Sequence, residues 1–397
     1  MGNEVKYLGY SEKWLQEHKS VHTATEIAGQ PALWLTTYHK LLAEASGLKS
    51  FMEKVLNEAE LDIVLTGAGT SAYIGQVLEP SFRKFTGKFC RAVPTTDIVS
   101  TPTGYLYEQK TTLLISFARS GNSPESVAAV ELANQCCNKV YHLFITCNPE
   151  GKLAQMKGDN IFCFTLPPES NDKSLAMTGS FSAMLMVGHL ISRIEDLTTL
   201  GDQVKRTSAA ATQLLEKYND SLQSLTKLDF TRGIFLGSGA LQGAARESHL
   251  KLQELTDGKV MCQFDTYLGF RHGPKAVINA QSLIVYLLSS EAYVERYESD
   301  LVDDINKRKD GMFRLGIGIS GKHDKGCDLF VALENAEGLD EPFFALLTVL
   351  PCQILAFHKS IQVGLTPDEP SVSGNISRVV KGVNIYPYKS NTKSLQS

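Results

Sequence analysis

The sequence predicts a duplicated α/β protein, with two doubly wound, flavodoxin-like parallel sheets after a helical N-terminal segment. Apolar, strand-like runs alternate with segments of helical spacing along most of the chain. A strand that ends in a Gly-x-Gly turn and leads into a helix occurs twice, first at Gly67–Gly69 and again at Gly237–Gly239. Because the same unit recurs with similar surroundings, the pattern favours two related domains over a single large sheet.

Each element follows from the local pattern, in chain order. Residues 1–60 are predicted to be helical, with helix-start residues and then a proline break between Thr23 and Pro31. The strands predicted in the first half are Leu61–Thr66, Cys90–Val93, Thr111–Ser116, Val140–Thr146 and Ile161–Thr165. A linking helix is expected within Asp202–Thr226. The strands predicted in the second half are Gly233–Leu236, Val260–Phe264, Ser282–Leu288, Phe313–Ile319 and Asp328–Leu333.

These elements predict a helical segment at residues 1–48, a first α/β domain at 49–205 and a second at 206–369. The remaining residues, 370–397, are predicted to form a tail that lies over the active site. The helix predicted after the third strand covers Val127–Asn138 and shows the 3.6-residue apolar spacing of a packed helix.

Composition and charge exclude several classes of partner and cofactor. The net charge is −4, and no Lys/Arg cluster is dense enough to predict a nucleic-acid partner. No apolar stretch is expected to span a membrane, and no signal-peptide core is seen at the N-terminus. The eight cysteines include no Cys-x-x-Cys pair, which predicts reduced thiols in a cytoplasmic protein. The nine histidines form no cluster that predicts a metal site.

The turn between the third predicted strand and its helix is a candidate phosphate site. Ser120 and Ser123 supply hydroxyl donors, and Gly121 lets the backbone approach a ligand closely. The helix that follows offers unpaired N–H groups and the positive end of its dipole, which suit a phosphate carrying no metal. The residues also allow a plainer interpretation, in which Ser123 caps the helix, Pro124 starts it and nothing binds.

The two halves are not predicted to be equivalent. In the second half the corresponding turn, Ser289–Tyr293, lacks glycine and carries Glu291, whose charge would repel phosphate. One sugar-phosphate site is therefore expected, in the first half, with catalytic groups coming from the second. Neither Gly-x-Gly turn completes the dinucleotide fingerprint and no P-loop motif exists, so no nucleotide cofactor is predicted.

Two further residues suit chemistry on a sugar phosphate. Glu254 lies at the end of the long apolar helix of the second half and is expected to be half-buried, which would make it a better base. His272 lies in a turn after a strand. A carboxylate can move a proton between C1 and C2 of a sugar, and an imidazole can open its ring. Taken singly, Glu254 is better explained as an exposed helix-end carboxylate, and His272 as a turn histidine bonded to a nearby carbonyl.

Together these residues resemble the SIS (sugar isomerase) family, and nearly the whole chain looks like the two-domain isomerase half of glutamine-dependent glucosamine-6-phosphate synthase. The similarity is strongest to the branch of tagatose-6-phosphate ketose/aldose isomerases and galactosamine-6-phosphate deaminases. The segments that carry it are Glu26-Ile27, Gln30-Pro31, Gly69-Thr70-Ser71, Ala118–Val127, Leu250–Glu254, Leu268–Lys275 and Pro370–Val380.

The resemblance implies a role for each matching residue. Ser71, Ser120 and Ser123, with the backbone of Arg119, would hold the phosphate. Glu254 would be the enolisation base, while His272 would open the ring and reach into the neighbouring subunit's site. A homodimer or dimer of dimers is therefore expected. Residues implied as further substrate contacts are Thr70, Asn375 and Arg378.

This sequence departs from the synthase pattern in ways that affect the expected reaction. Arg378 stands where the synthase has a tail lysine, and an arginine cannot donate a proton near neutral pH or form a Schiff base. Ala118 stands where the synthase has a phosphate-binding serine. No glutaminase domain with its N-terminal cysteine is present, so ammonia release is the expected direction.

The resemblance therefore implies an enzyme of amino-sugar catabolism that converts galactosamine 6-phosphate to tagatose 6-phosphate and ammonia. The expected partner is a small sugar phosphate, without metal, nucleotide or flavin. Plain aldose–ketose isomerisation is one alternative. A regulator that senses a sugar phosphate is the other, although such a module would not need Glu254 and His272.

Overall fold

The structure, a computed structural model, describes residues 6–307, 312–320, 324–380 and 382–388. It opens with an antiparallel hairpin, β1 (Lys6–Tyr7) and β2 (Tyr10–Ser11), so the prediction that residues 1–60 are helical is wrong at its start. Leu8 and Gly9 take positive φ values of 48° and 87°, which make the tight turn between these strands possible. Helices α1 (Glu12–Glu17), α2 (Val21–Ala28) and α3 (Gln30–Leu56) follow.

The first sheet has five parallel strands in the order β4-β3-β5-β6-β7. Its strands are β3 (Leu61–Thr66), β4 (Phe89–Ala92), β5 (Thr111–Ala118), β6 (Lys139–Thr146) and β7 (Ile161–Thr165). The helices around it are α4 (Thr70–Thr86), α5 (Thr95–Ser100), α6 (Pro102–Tyr105), α7 (Pro124–Cys136), α8 (Lys152–Gln155) and α9 (Gly179–Ser192). The predicted strands of this half are confirmed, with ends that differ by a residue or two.

The second sheet repeats the topology of the first, in the order β12-β11-β10-β8-β9. Its strands are β8 (Arg232–Leu236), β9 (Met261–Asp265), β10 (Ser282–Leu287), β11 (Phe313–Gly318) and β12 (Leu329–Ala332). The helices after these strands are α11 (Ala240–Leu255), α12 (Tyr267–Phe270) and α13 (Ala292–Asn306). In both sheets the first strand lies between the second and the third, so the predicted flavodoxin-like duplication is confirmed.

A layer of helices joins the two sheets through one continuous apolar core. It contains α3, α4, α9 and α11, together with α10 (Gly201–Leu225), the linking helix that was predicted, and α14 (Glu341–Gln362), which was not. Two smaller cores cover the outer faces of the sheets. The domain boundaries at residues 48 and 205 remain predictions, and both fall inside a helix, α3 and α10.

Helix α14 corrects the expectation that no apolar stretch reaches the length of a membrane span. It is the one helix of the described residues that is long and apolar enough to cross a membrane, but 94% of its apolar window is buried against the rest of the protein. Its apolar surface is therefore explained by packing in the core.

Helices α4 and α11 pack against each other in opposite directions, and this contact determines where the functional side chains meet. A Cβ on Gly243 of α11 would lie 2.7 Å from the backbone nitrogen of Val77 in α4, so the helices approach as closely as a glycine allows. The start of α4 consequently lies beside the end of α11. The carboxyl edge of the first sheet thus meets the end of a helix from the second domain.

Candidate functional site

The Gly-rich turns of the first domain lie side by side at the carboxyl edge of its sheet. The turn Gly67–Gly69 follows β3 and the turn Arg119–Ser123 follows β5, and these strands are paired along their length. This is the switch point of the sheet, because the chain proceeds to opposite sides from β3 and β5. Ligands of doubly wound sheets bind at such points.

Hydrogen bonds hold the turn that contains Ser120 in place. The Asn148 side chain donates to the carbonyl of Ser120 at 3.0 Å, and the Asn122 side chain accepts from the Lys152 N–H at 2.9 Å. Gly121 has a φ of 63°, which a residue with a side chain rarely adopts. The Ser120 hydroxyl is half-buried and accepts only a long bond, 3.3 Å, from the Asn122 N–H, so it is available to a ligand.

Ser123 is the N-cap of α7, as the plainer interpretation of this turn supposes. Its hydroxyl accepts from the Ser126 N–H at 3.3 Å and donates to the Ser126 hydroxyl at 2.6 Å, with Pro124 in the first turn. Ser71 lies in the first turn of α4, and its hydroxyl is 4.0 Å from the Met177 sulfur. The phosphate roles of Ser71, Ser120 and Ser123 remain predictions.

Glu254 is brought to the start of α4 by a buried lysine. Lys251 is fully buried, and its ammonium group donates to the Glu254 carboxylate and, at 3.0 Å, to the hydroxyl of Thr70. Glu254 itself has a side chain only 14% exposed. The prediction that Glu254 is half-buried is therefore confirmed, and the alternative of an exposed helix-end carboxylate is wrong.

A second carboxylate completes this cluster. Glu247 is fully buried one helical turn before Lys251, and its Oε1 lies 3.1 Å from the Lys251 nitrogen. Burial raises the pKa of Glu247 to about 8, against the opposing effect of Lys251. Burial acts to lower the pKa of Lys251, but Glu247 and Glu254 together raise it, so the amine stays protonated. The cluster thus holds a fixed positive charge beside Glu254.

Lys251 is a site residue that the sequence analysis did not name. A signal for it was available, because Glu247, Lys251 and Glu254 are spaced at i, i+4 and i+7 on an apolar helix and so share one face. Charged residues are rarely buried unless paired, and three on the core face of one helix indicate an ion cluster.

His272 is not brought to this cluster within one chain. It follows α12, whose Phe270 packs in the small core on the outer face of the second sheet, together with α13 residues such as Leu301. Its neighbour Arg271 donates to the Asp300 carbonyl of α13 at 2.9 Å. Helix α11, with Glu254, packs on the inner face. The His272 side chain is exposed, and its ring makes no hydrogen bond to any described residue.

The C-terminal tail passes over the end of α11. Ser373 bonds the carboxylate of Asp257 through its N–H at 2.9 Å and its hydroxyl at 2.8 Å, just beyond Glu254. Arg378 donates to the Asp172 carbonyl at 3.0 Å and to the Asn171 side chain at 3.2 Å. Asn375 is exposed, and its N–H bonds the Ser373 hydroxyl at 3.3 Å. Contacts of Thr70, Asn375 and Arg378 with substrate remain predictions.

Carboxylates of the protein itself lie at the two turns of the second domain that correspond to Gly67–Gly69 and Arg119–Ser123 of the first. Gly239 has nearly the same backbone conformation as Gly69, yet a Glu341 oxygen would lie 3.8 Å from a Cβ on Gly239, whereas Gly69 has nothing within 4 Å. The N–H of Ser289 bonds the Glu298 carboxylate at 2.8 Å. A single phosphate site, in the first domain, remains a prediction.

No group of three or more histidine, cysteine, aspartate or glutamate side chains in the described part of the chain is arranged to hold a metal ion. All eight cysteines lie in the described ranges and are free.

The sequence of the chain is similar to those of known proteins. Residues 56–192 match the family model described as SIS domain. Over 380 residues the chain is 40% identical to D-galactosamine-6-phosphate deaminase AgaS of Escherichia coli O157:H7, an alignment that covers 92% of this chain and 96% of that protein. The protein of the same name from Shewanella sp. (strain ANA-3) is 37% identical over 391 residues, covering 97% of each chain.

Solved structures show the same fold. A Clostridium novyi protein is 40% identical with a TM-score of 0.94, covering 97% of this chain and 100% of that one. Tagatose-6-phosphate ketose/aldose isomerase from Escherichia coli is 37% identical with a TM-score of 0.85, covering 93% and 97%. The C-terminal domain of glucosamine-fructose-6-phosphate aminotransferase from Francisella tularensis, at 17% identity and a TM-score of 0.74, shares the fold.

Proposed function

The chain belongs to the SIS family, in the branch of the D-galactosamine-6-phosphate deaminases, and from this premise we propose that it converts galactosamine 6-phosphate and water to tagatose 6-phosphate and ammonia. The observation that carries the proposal is the position of Glu254. Lys251 holds this carboxylate against Thr70, at the first turn of the helix that follows the Gly-rich turn of the phosphate site.

The proposed reaction uses one base and one fixed positive charge. After ring opening, Glu254 removes the proton from C2 and returns it to C1. The amine nitrogen loses one proton and O1 gains one, so that C1 becomes a hydroxymethyl group and C2 an imine. Water hydrolyses this imine to the ketone and ammonia. The Lys251 ammonium orients Glu254, and its charge stabilises negative charge that develops on the sugar during proton transfer.

We further propose that ring opening depends on a second copy of the chain. The proposal is supported by the packing of the helices next to these residues, since α11 lies on the inner face of the second sheet and α12 on its outer face. The exposed apolar side chains of Met261 and Leu268, 72% and 49% exposed, lie in the same part of the chain as His272 and suit burial against a partner. A homodimer would then be the smallest active unit.

The alternatives use the same site in different ways. Plain isomerisation needs the same proton transfer on a sugar with a C2 hydroxyl. A regulator needs the turn Arg119–Ser123, which we call the phosphate turn. It gains nothing from a buried Lys251–Glu254 pair, whose desolvation is costly. The eight free cysteines support a reducing compartment, and we propose the cytoplasm.

The substrate proposal is tested by measuring products. Purified enzyme given galactosamine 6-phosphate is expected to release ammonia in equal amount to a ketose 6-phosphate, with the same yield after EDTA treatment. Deuterium from solvent is expected at C1 of the product, because the transferred proton can exchange on the carboxylate. Ketose formed from galactose 6-phosphate, with no ammonia from the amino sugar, would establish the plain isomerase. Tight binding of both sugars without turnover of either would establish the regulator.

The phosphate turn is tested with two serine variants. Ser120→Ala is expected to weaken sugar-phosphate binding by about tenfold or more, since hydrogen bonds to charged groups contribute ~1.5–3 kcal/mol. Its thermal stability should hardly change. Ser123→Ala is the matched comparison, because loss of an N-cap costs about 1 kcal/mol of folding free energy. Calorimetric titration measures the affinity for the sugar phosphate, and thermal unfolding measures the stability of the fold. Unchanged affinity in Ser120→Ala would place the anion site elsewhere.

A further inference from the structure

Two arginines near the phosphate turn make an unusual set of contacts. The Arg119 guanidinium is buried, and it donates to the carbonyls of Ser174 and Leu175, each at 3.3 Å, and of Arg378 at 2.7 Å. The Arg378 guanidinium in turn donates to the Asp172 carbonyl. The two side chains therefore join three segments: the phosphate turn, the tail, and residues 171–175, which we call the strap.

Carbonyls, not carboxylates, accept these bonds. The nearest acidic side chain of the strap, Asp172, is used elsewhere, since its oxygens accept from the N–H groups of Thr178, Gly179 and Ser180 at the start of α9. Among the described residues neither arginine forms an ion pair with a carboxylate. Neither guanidinium is therefore in direct contact with a carboxylate, and both lie near a turn that is suited to a phosphate dianion.

The strap and the root of the tail are both hydrogen-bonded to helix α2. The Glu26 carboxylate accepts from the N–H of Lys173 at 2.5 Å and from the hydroxyl of Ser174 at 2.5 Å. Asp368, at the root of the tail, bonds the N–H groups of His22 and Thr23 at the start of α2. The strap and the tail root are therefore rigid, and they give Arg119 a firm support.

Beyond its root the tail is held by a few hydrogen bonds, from Ser373 to Asp257 and from Arg378 to the strap, besides the one from Arg119. Residues 372–380 are exposed and belong to no helix or strand. Segments with few buried contacts open at low free-energy cost. The bond from Arg119 to the Arg378 carbonyl is made from a buried side chain that directly precedes Ser120, so it connects the position of the tail to the phosphate turn.

From these contacts we propose that Arg119 is a positioning residue, whose guanidinium latches the C-terminal tail closed over the phosphate turn and the end of α11. The side chain points to the strap and the tail and does not act as a phosphate ligand. When a phosphate occupies the turn, its charge offsets the two arginines and favours the closed tail. Closure would retain the sugar phosphate at the phosphate turn. The expected effect of tail closure on substrate binding and turnover rests on the proposed function, whereas the latch between Arg119 and the tail does not.

Arg119→Met tests the latch in the full-length enzyme without substrate. Amide hydrogen exchange of residues 371–380 is expected to become about tenfold faster, because a charge-assisted hydrogen bond from a buried group is lost. Arg206→Met is the matched control, since Arg206 also donates to two backbone carbonyls, those of Asn335 and Glu337, but on the surface of the second domain. The control should exchange like the wild type.

Kinetics separate a latch from a general structural role. In Arg119→Met the KM for the sugar phosphate is expected to rise about tenfold while kcat changes much less, and Arg119→Lys, which keeps the charge on a single donor nitrogen, should lie between. Unchanged exchange in the tail would overturn the proposal, as would faster exchange spread over the whole chain. If the enzyme proves inactive on every sugar, the exchange measurement still decides whether the latch exists.

Discussion

Replacing Glu254 with glutamine is expected to lower kcat by about 10³-fold while the fold and the affinity for sugar phosphate are retained, since a positioned general base contributes ~10²–10⁴-fold. Glutamine keeps the shape of the side chain and can still accept a hydrogen bond from Lys251. Only the ability to take the C2 proton is lost. The measurement is single-turnover ammonia release, with binding followed by calorimetry.

A matched control for this substitution is Glu216→Gln on the exposed face of α10, which makes the same chemical change away from the site. It should behave as the wild type. Turnover that survives in Glu254→Gln would show that another group takes the C2 proton, and would leave Glu254 as the counter-ion of Lys251. Lost binding together with lost turnover would show that the carboxylate orders the phosphate site.

The stability of Glu254→Gln follows from the remaining contacts of Lys251. This ammonium keeps Glu247 at 3.1 Å and Thr70 at 3.0 Å, so it is not left without a partner. Removing the lysine instead would leave buried carboxylates unpaired, which typically costs ~3–5 kcal/mol. A variant at Lys251 therefore cannot separate catalysis from folding, whereas Glu254→Gln can.

Much of the fold could be predicted because it depends on local pattern. Strand runs, Gly-rich turns and their repetition are visible along the sequence, and parallel sheets of this size allow few topologies. The turn of β1 and β2 was missed because it is formed by Leu8 and Gly9 with positive φ values and without a typical turn dipeptide. Helix α14 was missed because it is buried on all sides, so a polar outer face does not mark it as a surface helix.

The site could be predicted only in part, for a different reason. Ser120, Ser123 and Glu254 lie in recognisable local settings, at a strand–helix turn and a helix end. The pairing of Lys251 with Thr70 depends on how α11 packs on α4, two elements far apart in the sequence. The direction of the Arg119 side chain likewise depends on the path of the strap and the tail. Such contacts follow from tertiary packing, which local sequence does not determine.

His272 is the predicted site residue that a single chain does not bring to Glu254. The resemblance assigns it to the same reaction as Glu254, yet α11, which carries Glu254, and α12, which precedes His272, pack on opposite faces of the second sheet. A shift of one side chain could not join them, because α11 and α12 each pack in a separate core. If both residues serve one sugar, they come from different subunits.

Mixing two inactive variants should therefore restore activity. His272→Ala and Glu254→Gln are each expected to be nearly inactive alone. After subunit exchange, a hybrid dimer has one site with both His272 and Glu254 intact, so random mixing of equal amounts gives about one quarter of the wild-type activity. Native mass spectrometry confirms the exchange, and a mixture of Glu254→Gln with Glu254→Ala is the control that should stay inactive. Exchange without recovery would mean that His272 and Glu254 act within one subunit, or that His272 has no part in the reaction.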